Sequence, residues 1–305
     1  MKNKSEWIGW NLLRDFAAEG TDAHRLATTE AGWVERFGPD VLISYKHEQI
    51  RGQLTNELDA WCGQAGFGYE RIFARFLPRK NEERQTPRLL FANRERPLQS
   101  RVTERHLNFG IDFSAGYSAG LFVDQRENRS YLRRRAPKRL LNCFAYTCAF
   151  SVAAGSTGAV TLNIDLSAKS LARGRDNFAL NNIPTTNHRF IADDVFAVLP
   201  RLARRGERFD AIILDPPTFS RSHDSKAFQV ERDFEKLLIA ALEVAERNAR
   251  ILLSTNCSTL RDHALEVMGR YCLKIARRAG NFHRAPPLPD FPPGTGASTV
   301  WLTLR

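Results

Sequence analysis

From residue 139 onward, short apolar runs rich in leucine, isoleucine and valine alternate with stretches of helical periodicity, and few folds accommodate that alternation. The runs are residues 139–145, 160–165, 188–195, 210–215 and 250–254. Apolar runs without an exposed face mark strands covered by helices on both sides, as parallel sheets are. Between them, Ser167 is placed to cap a helix carrying Leu171 and Phe178. Further on, Phe234, Leu237, Leu238, Ala241, Leu242 and Ala245 share one helical face. The pattern predicts an α/β fold with a doubly wound, Rossmann-like sheet.

Residues 1–125 read as a smaller α+β domain that positions substrate, ahead of a catalytic domain at 126–305. Residues 33–45 pattern as a hairpin turning at Gly38-Pro39, and residues 47–62 as an amphipathic helix with Ile50, Leu54, Leu58 and Trp61 inward. Residues 102–113 and 116–123 predict a second hairpin, turning at Ser114-Ala115-Gly116. The longest nearly apolar stretch, Cys143 to Ala154, is broken by Thr147 and Ser151 and falls short of the ~20 residues that span a bilayer. The first residues hold no apolar leader, so a soluble, cytoplasmic protein without a membrane partner is expected. Five scattered cysteines without a CxxC pair point to free thiols and no metal site.

Lysine and arginine number 45 against 34 aspartates and glutamates, a net charge of +11. The excess falls in clusters: Arg71, Arg75, Arg79 and Lys80; Arg133 to Arg135 with Lys138 and Arg139; Arg201, Arg204, Arg205 and Arg208; Arg277 with Arg278. Such clusters suit a polyanionic partner, because each phosphate contact releases counterions.

Ligands of doubly wound sheets lie beyond the carboxyl ends of the strands, where strand order reverses. Asp165 ends the second strand, 165 − 144 = 21 residues after Phe144, the spacing of a carboxylate that accepts from a ribose diol. Residues 145–150 hold no GxGxxG, so a pyrophosphate lacks its glycine nest and NAD and FAD are disfavoured. An adenosine cofactor without phosphates fits, and S-adenosylmethionine is that cofactor. Asp194 is placed to accept from an adenine amino group, with Val195 and Phe196 against the ring; capping a helix is the plainer alternative for such aspartates. In Asp215-Pro216-Pro217-Thr218-Phe219, two prolines fix φ and remove two donors, leaving a stiff turn between an acid and an aromatic ring. An amino-bearing base would donate to Asp215 or the turn carbonyls and stack near Phe219. Cys257 follows the last strand run. A thiolate there adds to C6 of a pyrimidine and makes C5 nucleophilic, while a buried structural thiol is the plainer reading.

Taken in order, these segments resemble the class I S-adenosylmethionine-dependent RNA methyltransferases grouped with ribosomal RNA large-subunit methyltransferases I and K. The matching segments are 120–129, 141–147 with 150–152, 160–167, 192–196, 215–220 and 228–233, and a weaker likeness reaches Thr21, Asp22 and 33–38. The resemblance implies a mostly parallel Rossmann-like sheet with its last strand, at 299–304, antiparallel, and methylation of a base of ribosomal RNA. It places Gln125, Arg126, Asn142, Phe144, Tyr146, Thr147, Asp165, Leu166, Asp194, Val195, Asp215 and Pro216 around the cofactor. Pro217, Thr218 and Phe219 fall at the substrate base, and Asp215 and Cys257 in catalysis. Cys257 matches the nucleophile of the 5-methylcytosine branch, whereas 215–220 followed by 228–233 is closer to the guanine-modifying branch. The acceptor thus stays open between cytosine C5 and a guanine nitrogen.

The loop after the first strand carries Cys148-Ala149 where the family commonly has Gly-Gly, so a bulkier loop is expected beside the methionine end of the cofactor. The small PUA-type RNA-binding module that many members place first is expected to be absent. A methyltransferase of small molecules or proteins, or a noncatalytic RNA-binding member of the fold, are the alternatives, as monomer or homodimer.

Overall fold

Gly38, at φ 64°, takes a left-handed conformation that glycine adopts without steric cost, and it closes the expected hairpin of Gly32–Phe37 against Asp40–Tyr45. In the computed structural model, which describes residues 4–78, 82–220 and 228–305, the chain divides into two units. The first is Met1–Asp124 with Leu288–Pro293, the second Gln125–Pro287 with Gly294–Arg305.

The first unit holds a six-stranded sheet of β1 (Glu6–Trp7), β2 (Ala23–Thr29), β3 (Gly32–Phe37), β4 (Asp40–Tyr45), β5 (Arg71–Phe76) and β6 (Arg88–Ala92), arranged in chain order. α1 (Trp10–Ala18) joins β1 to β2, and α2 (Glu48–Ala65) crosses from β4 to β5, which is why those two strands pair in parallel. Ile50, Leu54 and Leu58 of α2 are buried as the periodicity predicts, and Trp61 is half-buried, stacked on Trp7 at 5.3 Å.

Two expectations are corrected here. The second hairpin is β7 (Gln99–Glu104) against β8 (Leu107–Asp112), and it turns at Arg105 and His106, both at positive φ (47° and 66°). Ser114 follows the strand instead of turning it: its N–H and hydroxyl both donate to Asp112 Oδ1 (2.8 and 2.6 Å). The first basic cluster is not a surface patch either. Arg71 is buried and donates twice to Asp40 at 2.8 Å, and Arg75 pairs with Glu35 at 3.5 Å. Arg79 and Lys80 lie outside the described residues.

The second unit starts with α3 (Arg126–Arg135) and β9 (Arg139–Cys143), followed by α4 (Ala149–Gly155), β10 (Val160–Asp165) and α5 (Ala168–Leu180). Next come β11 (His188–Ala192), α6 (Val195–Arg204), β12 (Phe209–Leu214), the short strands β13 (Phe219–Ser220) and β14 (Phe228–Gln229), and α7 (Val230–Val244). The unit ends with β15 (Ala245–Thr255), α8 (Asp262–Ile275), β16 (Gly280–His283) and β17 (Ser298–Leu304). Seven strands form one sheet in the order β11-β10-β9-β12-β15-β17-β16. The sheet is parallel except for β17, which runs antiparallel to β15 and β16.

Alternate residues of each central strand enter opposite cores. Leu141, Ile212, Leu214, Ile251 and Leu253 pack with Leu199, Phe234 and Leu238 on one side. Leu140, Ala211, Ile213 and Leu252 pack with Phe150, Leu132 and Trp301 on the other. Burial on both faces explains the unbroken apolar runs. From β9 the chain proceeds outward to β10 and β11 on one side and returns to β12 on the other. The strand order therefore reverses at β9 and β12, and the crevice opens at their carboxyl ends.

Candidate active site

The loop leaving β9 is shaped by three residues in the left-handed region, Phe144, Tyr146 and Cys148, at φ 58°, 47° and 58°. Each costs strain without glycine, and the surroundings hold each turn. Asp165, at the tip of β10, accepts from Tyr146 N–H through Oδ2 and from Ser167 N–H through Oδ1, both at 2.8 Å. Asn177 of α5 donates to the Thr147 carbonyl at 2.8 Å, and Cys148 N–H donates to the Ala145 carbonyl at 2.7 Å.

Cys148 is fully buried, and its Sγ lies in a notch at Gly174 of α5, where a Cβ would come within 2.5 Å of it. The bulk expected beside the methionine end of the cofactor is thus turned into the helix and does not line the crevice. Burial pushes its thiol well above the usual range, and the Asp165 carboxylate adds to that effect.

Asp165 spends two of its roughly four acceptor sites on those backbone amides. Its partly exposed position at the crevice leaves the other two for hydroxyl donors, as a ribose presents. Burial raises its pKa above the ordinary 3.8, and the two amides counter only part of that rise. Leu166 next to it is 43% exposed, an apolar side chain left at the mouth of the crevice. Thr147 is buried, and Val195 is buried at the start of α6.

Asp194 and Asn142 also make contacts within the scaffold. Asp194 caps α6, its Oδ1 accepting from Phe196 N–H at 2.9 Å. Asn142 donates to Ser151 Oγ at 2.9 Å while fully buried, so its amide ties β9 to α4 behind the loop. Phe196 and Phe144 instead flank the ring of Phe228, each at 5.8 Å.

Gln125 and Arg126 are both buried. Gln125 reaches the proline turn: its Nε2 donates to Ser254 Oγ at 2.8 Å and to Asp215 Oδ2 at 3.4 Å, and Ser254 donates to Asp215 Oδ1 at 2.6 Å. Arg126 Nε lies 4.0 Å from Glu127 Oε1. Beyond Asp215, Pro216 is buried, whereas Pro217, Thr218 and Phe219 are exposed, Phe219 by 43%. The Thr218 carbonyl accepts from Val230 N–H at 3.2 Å, which sets the amino end of α7 against this turn.

Cys257 lies just past the tip of β15, the strand paired with β12. It is buried, with Sγ 3.1 Å from Thr259 Oγ1 and 3.6 Å from Glu231 Oε1 at the start of α7, and Thr259 also donates to Glu231. Sequence reasoning named Cys257 but missed Glu231, Thr259 and Ser254. Glu231 lies within the matching segment 228–233 without a role assigned to it, Ser254 is next to last in β15, and Thr259 stands in the loop that follows.

No described helix is long and apolar enough to cross a membrane, and no group of three or more metal-ligating side chains occurs among the described residues.

Comparison with known proteins agrees with this geometry. Ribosomal RNA large subunit methyltransferase I of Escherichia coli O139:H28 is 29% identical over 270 residues, 85% of this chain and 66% of that protein. Its counterpart in Aeromonas salmonicida is 32% identical over 198 residues, 64% of this chain and 50% of that protein. The chain therefore spans just under two thirds of the E. coli relative and half of the Aeromonas one. A crystal structure assigned as a methyltransferase, in complex with SAH, superposes with a TM-score of 0.81 at 26% identity, covering 97% of this chain and 78% of that one. A structure assigned as an S-adenosylmethionine-dependent methyltransferase from Streptococcus mutans gives 0.80 at 25% identity, covering 96% and 78%. Residues 90–302 match the model of the S-adenosylmethionine-dependent methyltransferases, most of the chain and nearly all of its second unit, and the chain belongs to that family.

Proposed function

We propose that the chain methylates a base of large-subunit ribosomal RNA, at C5 of a cytosine, with Cys257 as the nucleophile. The observation that carries this reading is the placement of the Cys257 thiol one strand from the Asp215 turn, with the Glu231 carboxylate 3.6 Å away to take its proton. The names of the E. coli and Aeromonas relatives support ribosomal RNA as the substrate class.

S-adenosylmethionine, when bound, supplies a methyl group on a sulfonium. Asp165 would accept from the ribose of that cofactor, and Leu166, Val195 and the 144–148 loop would help to hold it. Asp215 and the proline carbonyls accept from the exocyclic amine of the target base, and Phe219 stacks on its face. The Cys257 sulfur bonds to C6, its proton passes to Glu231, and the C5–C6 electron pair moves onto C5, which takes the methyl group. C5 then gives its proton to a solvent water, the C5–C6 double bond re-forms as the sulfur–C6 bond breaks, and the departing thiolate recovers its proton from Glu231.

Cys257→Ala is expected to abolish methyl transfer to ribosomal RNA while leaving cofactor affinity intact. Mass mapping of nucleosides after incubation with the unaltered protein should find 5-methylcytosine. An undiminished rate in the variant overturns the cytosine reading and moves the acceptor to a guanine nitrogen, for which positioning at Asp215–Phe219 is sufficient.

A further inference from the structure

Four side chains outside the turn form one hydrogen-bonded line that ends on Asp215. Trp301 Nε1 of β17 donates to Asn128 Oδ1 at 2.9 Å, and Asn128 Nδ2 donates to Gln125 Oε1 at 2.9 Å. Gln125 Nε2 donates to Ser254 Oγ and Asp215 Oδ2, and Ser254 donates to Asp215 Oδ1. Trp301, Asn128, Gln125 and Ser254 are each at most 3% exposed, so water does not compete for these partners.

The direction of the line follows from its first member. An indole N–H only donates. Asn128 must therefore present its oxygen to Trp301, which turns its NH2 toward Gln125. Gln125 must then present its oxygen to Asn128, which turns its own NH2 toward Ser254 and Asp215. Ser254, accepting a hydrogen bond from Gln125, is left to point its own hydroxyl hydrogen at Asp215. Two amides and a hydroxyl, each able to point either way in isolation, are left with one orientation, and both oxygens of Asp215 receive a donor.

We infer that Trp301, Asn128, Gln125 and Ser254 are a polarised positioning relay that fixes Asp215 as a hydrogen-bond acceptor of set orientation for a substrate amino group. This rests on the reading of Asp215 as the base-binding carboxylate. It gives Gln125 and Asn128 a role in the substrate half of the site, where the family resemblance had placed Gln125 by the cofactor. A carboxylate presented this way selects an exocyclic amine and rejects a carbonyl at the same place, because a carbonyl offers it no proton.

Two measurements test the relay. The first needs no activity: in a 15N correlation spectrum, the Trp301 indole resonance, one of five tryptophan signals, should move upfield in Asp215→Ala although that residue lies three hydrogen bonds away. An unmoved resonance overturns the relay. The second uses methyl transfer from labelled S-adenosylmethionine to large-subunit ribosomal RNA transcribed in vitro. Ser254→Ala and Trp301→Phe should each lower kcat about 10- to 100-fold with cofactor affinity unchanged. Asn128→Asp, isosteric but unable to donate, should do the same or worse, because it draws the Gln125 NH2 back and turns the Gln125 oxygen on Asp215. Paired with Asp215→Asn, Ser254→Ala should add no further loss.

If Asp215→Asn alone leaves transfer intact, the base-binding reading fails and the relay with it. If Asp215→Asn abolishes transfer but Ser254→Ala and Trp301→Phe do not reduce it, the relay fails and the base-binding reading stands. Cofactor binding and a melting curve for every variant separate both results from unfolding, and Trp301→Phe, which keeps an aromatic ring in the core, is the variant least exposed to that failure.

Discussion

At Asp165, the proposed cofactor ligand and the turn residue are one carboxylate. Its two 2.8 Å bonds from Tyr146 and Ser167 hold the loop and the entry to α5, and its remaining acceptor sites face the crevice. The 21-residue spacing marks it in the sequence as a candidate ligand; its part in the turn was hidden, because it depends on Tyr146 standing at positive φ without being glycine. Asp165→Ala should weaken S-adenosylmethionine binding by about two to four orders of magnitude, since a hydrogen bond to a charged acceptor is worth ~1.5–3 kcal/mol and a diol makes two. Asp165→Asn, which keeps one acceptor oxygen, should lose less; equal affinity for both variants and the unaltered protein by titration calorimetry would defeat the assignment. The pH dependence has a definite sign. Burial raises the folded-state pKa above 3.8, so the ionised carboxylate costs stability at neutral pH, and that cost is relieved as pH falls through the raised value. Cofactor affinity uses the ionised form and should begin to fall at a higher pH than an ordinary aspartate would dictate.

Between elements, the contact of α5 with the start of α4 shows what a sequence conceals. Cys148 stands where a left-handed N-cap would favour glycine, and Gly174, 26 positions later (174 − 148), leaves the space its sulfur fills. Neither residue predicts the other by periodicity, because the match is steric and crosses two elements. Gly174→Ala should cost ~1–3 kcal/mol by overpacking, read from denaturant melts, and should also loosen the 144–148 loop and lower cofactor affinity. Gly174→Ala combined with Cys148→Gly should recover part of that loss. Strict additivity of the two changes would show that the sulfur and the helix do not share this space. The central parallel strands, by contrast, were legible, because burial on both faces writes itself as an unbroken apolar run; the bounds were less so, since the last of them begins at Ala245, a residue expected on the preceding helix, and not at Arg250. The β7–β8 hairpin was not: Arg105 and His106 make its positive-φ turn, and neither residue type signals one.

Over the second unit, topology redistributes the charge that the sequence shows only as clusters. Lys138 and Arg139 open β9, Arg204, Arg205 and Arg208 precede β12, and Arg277 and Arg278 precede β16. These strands run parallel, so all three clusters stand at the amino-terminal edge of the sheet, whereas Asp165 and Asp215 stand at the carboxyl tips. A strand of five or six residues separates the two edges by ~16–20 Å. Arg139 and Arg189 also share Glu207 there, at 3.5 and 2.8 Å, which consumes part of the positive charge. These three clusters therefore stand too far away to hold the phosphates flanking the proposed target base, and can only reach RNA distant from it. Arg204 and Arg205, both exposed, are the direct test. Changing both to Ala should leave kcat for methyl transfer unaltered. It should also flatten the dependence of log K on log salt for ribosomal RNA by ~1.4, since each lost phosphate contact on a single strand removes ~0.7 from the slope. A fall in kcat would place those arginines at the reacting nucleotide and contradict the strand order, and an unchanged slope would show that this edge meets no RNA.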